Sequence, residues 1–339
     1  MFKSTKLLIG LLKSPKGIVS KTTCLLINKQ HYQVKHYTKK TKNECHTILV
    51  IGGFSVHGYK DVRLNNIAKS FAGVGYRVLV FSISDIENLV INTDTIYEVR
   101  EIIKALCDEY YFSSGGKVSI FAPSFSAGLV LAACTDTQIQ SRVSSICCIG
   151  TYANLETTFE YILFEENADD YARNILFKNM LPYSKYSTIQ DLKLIVETAI
   201  YDNGFKRFVK DLPQVYKNAS KQSQEIWNKW NDSKDFRKEF IKSISNEKVL
   251  QNWKSEFDVF TKIKQIKTPI TFIHGSKDDV IPKTESMQLH QERKALGLPS
   301  HLCITNLISH GDTKSSSIST IEYINITKAF NYFFNYAKL

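Results

Sequence analysis

The sequence predicts an α/β protein built on a mainly parallel central sheet, and three observations predict it. Short apolar runs ending in turn residues alternate with segments whose apolar residues recur at helical spacing. The runs are continuous rather than alternating, as in strands buried on both faces. Strands that alternate with helices imply right-handed crossovers between parallel neighbours.

Each element follows in order. "CLLINKQHYQVKHYT" reads as two strands about a polar turn. "HTILVIGG" (His46 to Gly53) is a buried parallel strand ending in glycines, and "VRLNNIAKSFAGVG" is a helix that Gly75 stops. Strand "YRVLVFSI", helix "DTIYEVREIIKALCDEYY", strand "KVSIFAPS", helix "SAGLVLAACTD" and strand "VSSICCIG" continue the rhythm. From Thr151 to about Thr268 the chain turns rich in Tyr, Phe, Trp, Asn and Lys with helical periodicity, and the α/β rhythm resumes at "PITFIHG". The predicted organisation is therefore a basic extension (1–18), a first part of the core (19–150), a helical lid insertion (151–268) and a second part of the core (269–339). The aromatics of the insertion, Trp227, Trp230 and Trp253 among them, are expected to form its own core.

Composition excludes several classes. With 339 residues, 43% of them hydrophobic, the chain can bury a full core and is not disordered. The net charge of +11 is concentrated at the start, where ten lysines face one acid, Glu44, before His46. A basic arm on a nearly neutral body argues weakly for nucleic acid and better for an anionic surface, so no nucleic-acid partner is expected and the arm is a candidate for peripheral membrane contact. The opening patch "LLIGLL" is shorter than the roughly 7 to 15 residues of a secretory core, and a terminal helix lying on the domain is the favoured reading. Seven scattered cysteines without a CxxC pair read as buried thiols in a reducing, cytoplasmic setting. No phosphate-binding or dinucleotide glycine fingerprint appears, so no cofactor is expected. No metal is expected either: His57 and His274 lack partner ligands at suitable spacing, and "FEENADD" (Phe164 to Asp170) lacks the spacing of a calcium loop.

Chemistry concentrates at "FAPSFSAGLVLAA" (Phe121 to Ala133), where a strand becomes a helix. A nucleophile on so sharp a turn needs small residues two before and two after it. Ser126 meets this with Ser124 and Gly128, and is the candidate. A serine hydroxyl needs an imidazole to take its proton and a carboxylate to orient that imidazole. "PITFIHGSKDDVIP" supplies Asp278 after a strand, with Asp279 as the lesser alternative, and "HLCITNLISHGD" supplies His310 after the last strand, with Asp312 beside it as surface charge. The order Ser, Asp, His is that of α/β-hydrolases.

From about Val19 to the C-terminus the chain resembles an α/β-hydrolase fold serine hydrolase of bacterial type with a helical lid. "ILVIGGFSVHGYKDVRLNNIAKSFAGVGYRVLVF" is similar to the family's oxyanion-loop region, and "HGSKDDVIP" resembles its acid loop. The resemblance implies Ser126 as nucleophile, Asp278 as acid and His310 as base, with the amides of Ala127 and Phe54 as the oxyanion hole. Gly52-Gly53 stands where many relatives carry His-Gly, which leaves Gly53 as the alternative second donor. The implied activity is cleavage of a small-molecule carboxylic ester or thioester through an acyl-enzyme. The alternatives are acyl transfer by the same triad and a catalytically inactive protein that binds an apolar acyl ligand.

Overall fold

The computed structural model describes residues 2–39, 46–109, 112–113, 115–308 and 319–338. β1 (Ile18–Ile27) and β2 (Gln30–Lys39) pair antiparallel about Asn28 and Lys29, whose φ values are both positive, 48° and 67°. Such a turn matches the natural twist of the flanking strands. β3 (Thr47–Ile51), β4 (Arg77–Phe81), β5 (Val118–Pro123), β6 (Val143–Ile149), β7 (Ile270–Gly275) and β8 (Ser300–Thr305) complete one sheet in the order β1-β2-β4-β3-β5-β6-β7-β8. β2 is antiparallel to both of its neighbours, and every pair from β4 to β8 is parallel.

The continuous apolar runs are explained by a core on each face. In β3, Ile48 and Val50 join one core with Val78 and Val80 of β4, while Leu49 and Ile51 join the other with Leu79 and Phe81. Successive side chains of a strand point to opposite faces, so a strand covered on both sides must be apolar throughout. α1 (Phe2–Leu12) and α2 (Val62–Gly73) cover one face. α3 (Ser84–Glu87), α4 (Asp94–Asp108), α5 (Phe125–Ala133) and α6 (Thr137–Arg142) cover the other.

Between β6 and β7 the chain is helical: α7 (Leu155–Phe164), α8 (Asp170–Met180), α9 (Gln190–Gly204), α10 (Leu212–Asn218), α11 (Lys221–Asp232), α12 (Lys234–Ile244), α13 (Lys248–Glu256) and α14 (Val259–Lys262). Its aromatics do form a core. Trp230 is fully buried and stacks on Phe177 at 4.0 Å, and Trp227 and Trp253 are buried as well. The acidic run at 164–170 is used locally, since Asp169 caps α8 through the Ala172 amide and Asp170 pairs with Arg173. α15 (Lys283–Ala295) precedes β8, and α16 (Thr320–Tyr336) returns to the face of α1 and α2.

The N-terminal helix lies on the domain. Leu7 and Leu8 of α1 are buried in the core formed with Phe71 and Phe330. Five of the cysteines, from Cys107 to Cys303, are buried free thiols, and burial pushes Cys134 up to about 12. Cys24 departs from the expectation: it is exposed, because it faces outward on edge strand β1. Cys45 lies outside the described residues. Among the described residues no helix is long and apolar enough to cross a membrane.

One feature of the topology positions the site. From β3 the chain crosses through α2 to β4 on one side, then returns through α4 to β5 on the other side of β3. At such a switch the loops leaving the two carboxyl ends diverge and open a crevice, where parallel sheets bind ligands.

Candidate active site

Ser124 occupies the turn between β5 and α5 with φ 56° and ψ −135°. A non-glycine residue holds such a backbone only where its surroundings impose it, at a cost of about 1–3 kcal/mol. Here both sides of the residue are tied: its amide donates to the Ile149 carbonyl of β6 at 2.7 Å, and its carbonyl accepts from the Ala127 amide at 2.9 Å. The residues two before and two after it, Ala122 and Ser126, are small and fully buried. On the opposite wall, the loop after β3 passes so close that a Cβ on Gly53 would meet the Pro123 carbonyl at 3.3 Å and the Ser124 Cβ at 3.4 Å.

Ser126 sits in the first turn of α5, fully buried, and its hydroxyl donates to the Gly52 carbonyl. The amide of Ala127 is already bonded to Ser124. Phe54, in the loop after β3, stacks its ring on Phe125 at 4.4 Å. The first amide past the turn is that of Phe125, at the start of α5, where helix geometry provides no internal acceptor.

The tips of β5, β6 and β7 are tied in a row, with Ser124 bonded to Ile149 and the Gly150 amide donating to the Ile273 carbonyl at 2.8 Å. Three residues beyond β7 lies Asp278. One of its carboxylate oxygens accepts from the amides of Val280 at 3.0 Å and Ile281 at 2.9 Å. Its other oxygen is 3.5 Å from Nε2 of His274. Asp278 is buried and Asp279 exposed, and of the two carboxylates that of Asp278 is the one held by backbone amides. His274 is a fully buried structural histidine. Its Nε2 donates to the Ile281 carbonyl at 2.8 Å, which leaves Nδ1 to accept from the Ser286 hydroxyl at 2.7 Å. His57 is exposed, with its ring edge-on to Phe205 at 5.0 Å. His310, and Asp312 beside it, lie outside the described residues.

The helical segment touches the loop after β7 and the start of α5. The Tyr161 hydroxyl donates to the Asp278 carbonyl at 3.3 Å, the Asp169 amide donates to the Asp279 carbonyl, and Phe257 packs on Phe125.

No family model and no curated protein matches the sequence. Solved structures do match. An acylaminoacyl peptidase of Pyrococcus horikoshii superposes with a TM-score of 0.56 at 12% identity, over 97% of this chain and 43% of that one. An esterase of Pyrococcus furiosus gives 0.53 at 12% identity, over 94% of this chain and 92% of the other. A hypothetical protein of Pseudomonas aeruginosa gives 0.51 at 12%, over 95% and 94%. The chain thus spans less than half the length of the peptidase it matches. With the strand order and the strained turn, these matches decide the architecture. This chain has the α/β-hydrolase fold.

In an α/β-hydrolase the nucleophile stands on the strained strand-to-helix turn, and one oxyanion donor is the amide that follows it. That turn belongs to Ser124, not Ser126, and the amide that follows it belongs to Phe125, not Ala127. The strained turn expected at Ser126 thus lies two residues earlier, at Ser124. Ser126 is sealed in the helix and engaged by Gly52, and the Ala127 amide is spent inside the turn. The sequence held a signal for this reading, since Ala122-Pro123-Ser124-Phe125-Ser126 also flanks a serine with small residues. Periodicity does not choose between the two frames; the φ angle does.

Proposed function

We propose that this protein is a serine hydrolase that cleaves a carboxylic ester or thioester through an acyl-enzyme on Ser124. The observation that carries this reading is the strained backbone of Ser124 at the switch point of the sheet. Strain held from both sides at a crevice is characteristic of functional positions. In this reading Ser124 Oγ attacks the carbonyl carbon while His310 accepts its proton, then returns it to the leaving alcohol or thiol. Asp278 orients His310 and stabilises its charged form. Water, activated by His310 in turn, releases the acid and restores Ser124.

The oxyanion would lie against the Phe125 amide and a second amide from the loop after β3, at Phe54 or Gly53. Each such donor contributes about 3 kcal/mol to the barrier reduction. The segment from α7 to α14 would act as a lid, in keeping with its contacts to the acid loop and to Phe125. Ester rather than peptide cleavage is supported by the match to an esterase over nearly the whole of both chains.

The test is reaction of the purified protein with a fluorophosphonate probe, beside Ser124→Ala and Ser126→Ala. Labelling of the parent and of the Ser126 variant, with none of the Ser124 variant, is the expected result. Labelling that survives Ser124→Ala would overturn the assignment. A folded parent that does not label would favour the non-catalytic binder of an acyl ligand.

A further inference from the structure

The connection between α9 and α10 carries a tip that no internal packing explains. Phe208 is 102% exposed and Val209 77%. Single exposed apolar residues are ordinary. Two adjacent ones on a built turn are a different matter. The turn is pinned at its base by Asp202, which is buried and whose carboxylate accepts from Arg207 Nη1 at 3.1 Å and from the Leu212 amide at 2.8 Å. Arg207 is further paired with Asp211, and Lys206 holds a positive φ of 51°. The chain is thus bent so that Phe208 and Val209 stand outward, with the exposed Lys206 and Lys210 on either side. The base of the tip rests on the loop that leaves β3: a Cβ on Gly204 would meet Val56 at 2.7 Å, and Phe205 meets His57.

We propose that the segment 205–211 is a docking tip for an anionic lipid surface, with Phe208 and Val209 entering the headgroup boundary and Lys210 meeting lipid phosphate. An exposed apolar pair with Lys210 beside it fits that occupant, because such a surface offers apolar depth beneath negative charge. The N-terminal helix is the rival. Phe2, Ile9 and Leu12 are exposed beside Lys6 and Lys13, but Gly10 packs on Ser70 and Pro15 on Gly73, near the end of α2 that leads into the start of β4. That places the helix at the amino ends of the parallel strands, away from the crevice. The two surfaces therefore present opposite ends of the sheet to a membrane.

The experiment is co-sedimentation of the full chain with phosphatidylcholine vesicles, with and without phosphatidylserine, at low and high salt. The parent is expected to bind the anionic vesicles, and salt to weaken the binding. Replacing both Phe208 and Val209 with Ser should cut it about tenfold or more, since burial of each large apolar side chain is worth roughly that factor. Lys6→Gln with Lys13→Gln should leave it nearly unchanged. Ser124→Ala should bind like the parent, so the result does not depend on catalysis. The proposal is overturned if the parent fails to bind, if only the Lys6 and Lys13 variant loses binding, or if the tip variant instead abolishes a concentration-dependent dimer of the parent.

Discussion

The hydroxyl of Ser126 donates to the carbonyl of Gly52, and this one bond joins the first turn of α5 to the loop that leaves β3. In the G-x-S-x-G turn of α/β-hydrolases this place is taken by glycine. The serine here adds a clamp on the wall opposite Ser124. Ser126→Ala is expected to leave probe labelling intact while lowering kcat about tenfold at similar KM, because the Gly52 carbonyl loses its partner and the amides beyond it lose their fixed aim. The bond is only partly buried, so urea unfolding should report a loss of about 0.5–1.5 kcal/mol. A kcat equal to that of the parent would remove the positioning role.

Asp278→Asn tests the acid. The amide keeps the shape of the side chain, and its oxygen still accepts from Val280 and Ile281. It removes the charge that would stabilise a histidine cation. Ester turnover is expected to fall by about 10³ to 10⁴ with little change in melting temperature. The same loss from Asp279→Asn, with Asp278→Asn active, would reverse the choice between the two.

Gly128 is set by a neighbour. A Cβ there would lie 2.2 Å from the Tyr152 ring, which is itself buried against Phe125. Alanine ordinarily favours a helix by about 1 kcal/mol over glycine. Overpacking of about 1–3 kcal/mol or more outweighs that gain here. Gly128→Ala should lower stability in urea unfolding; a neutral or stabilised variant would mean that the Tyr152 ring has room to move.

Glu285 ties α15 to the chain as it leaves β6. Its carboxylate accepts from the amides of Ala153 at 2.8 Å and Asn154 at 3.0 Å and from the Thr157 hydroxyl at 2.9 Å. Glu285→Ala strands the amides of Ala153 and Asn154 at the root of the helical segment, while the Thr157 hydroxyl keeps the Asn154 carbonyl. A loss of about 2–4 kcal/mol is expected, with faster proteolysis inside 151–268 than elsewhere.

Acid should weaken the fold through His46. Burial, with a smaller contribution from Lys3, pulls its pKa down to about 4 from the ordinary 6.5. The unfolded chain therefore takes up a proton at higher pH than the folded one does. The stability from keeping His46 neutral is complete above about pH 6.5 and is lost as pH falls toward 4, at about 1.4 kcal/mol per unit at the steepest. His46→Gln should flatten that part of the stability profile, and an unchanged slope would place the acid sensitivity elsewhere.

Much of this protein was legible in the chain itself. Continuous apolar runs such as "TILVI" and "VSIFAP" define strands covered on both faces, and their alternation with helical spacing yields the sheet. The loop after β7 was equally legible, because a carboxylate just past a parallel strand stands where ligands bind. These are local patterns, and local propensity and periodicity suffice to read them.

The choice between Ser124 and Ser126 was of another kind. Both serines have small residues two positions away on each side, and Gly128 tilts the spacing toward Ser126. What separates them is where β5 ends, and that is set by its pairing with β6, through the bond from the Ser124 amide to the Ile149 carbonyl. The pairing forces the positive φ onto Ser124 and turns the next residues into a buried helix. A backbone angle imposed by a strand 25 residues away along the chain leaves no local trace, so only the tertiary structure decided which serine takes the strained turn.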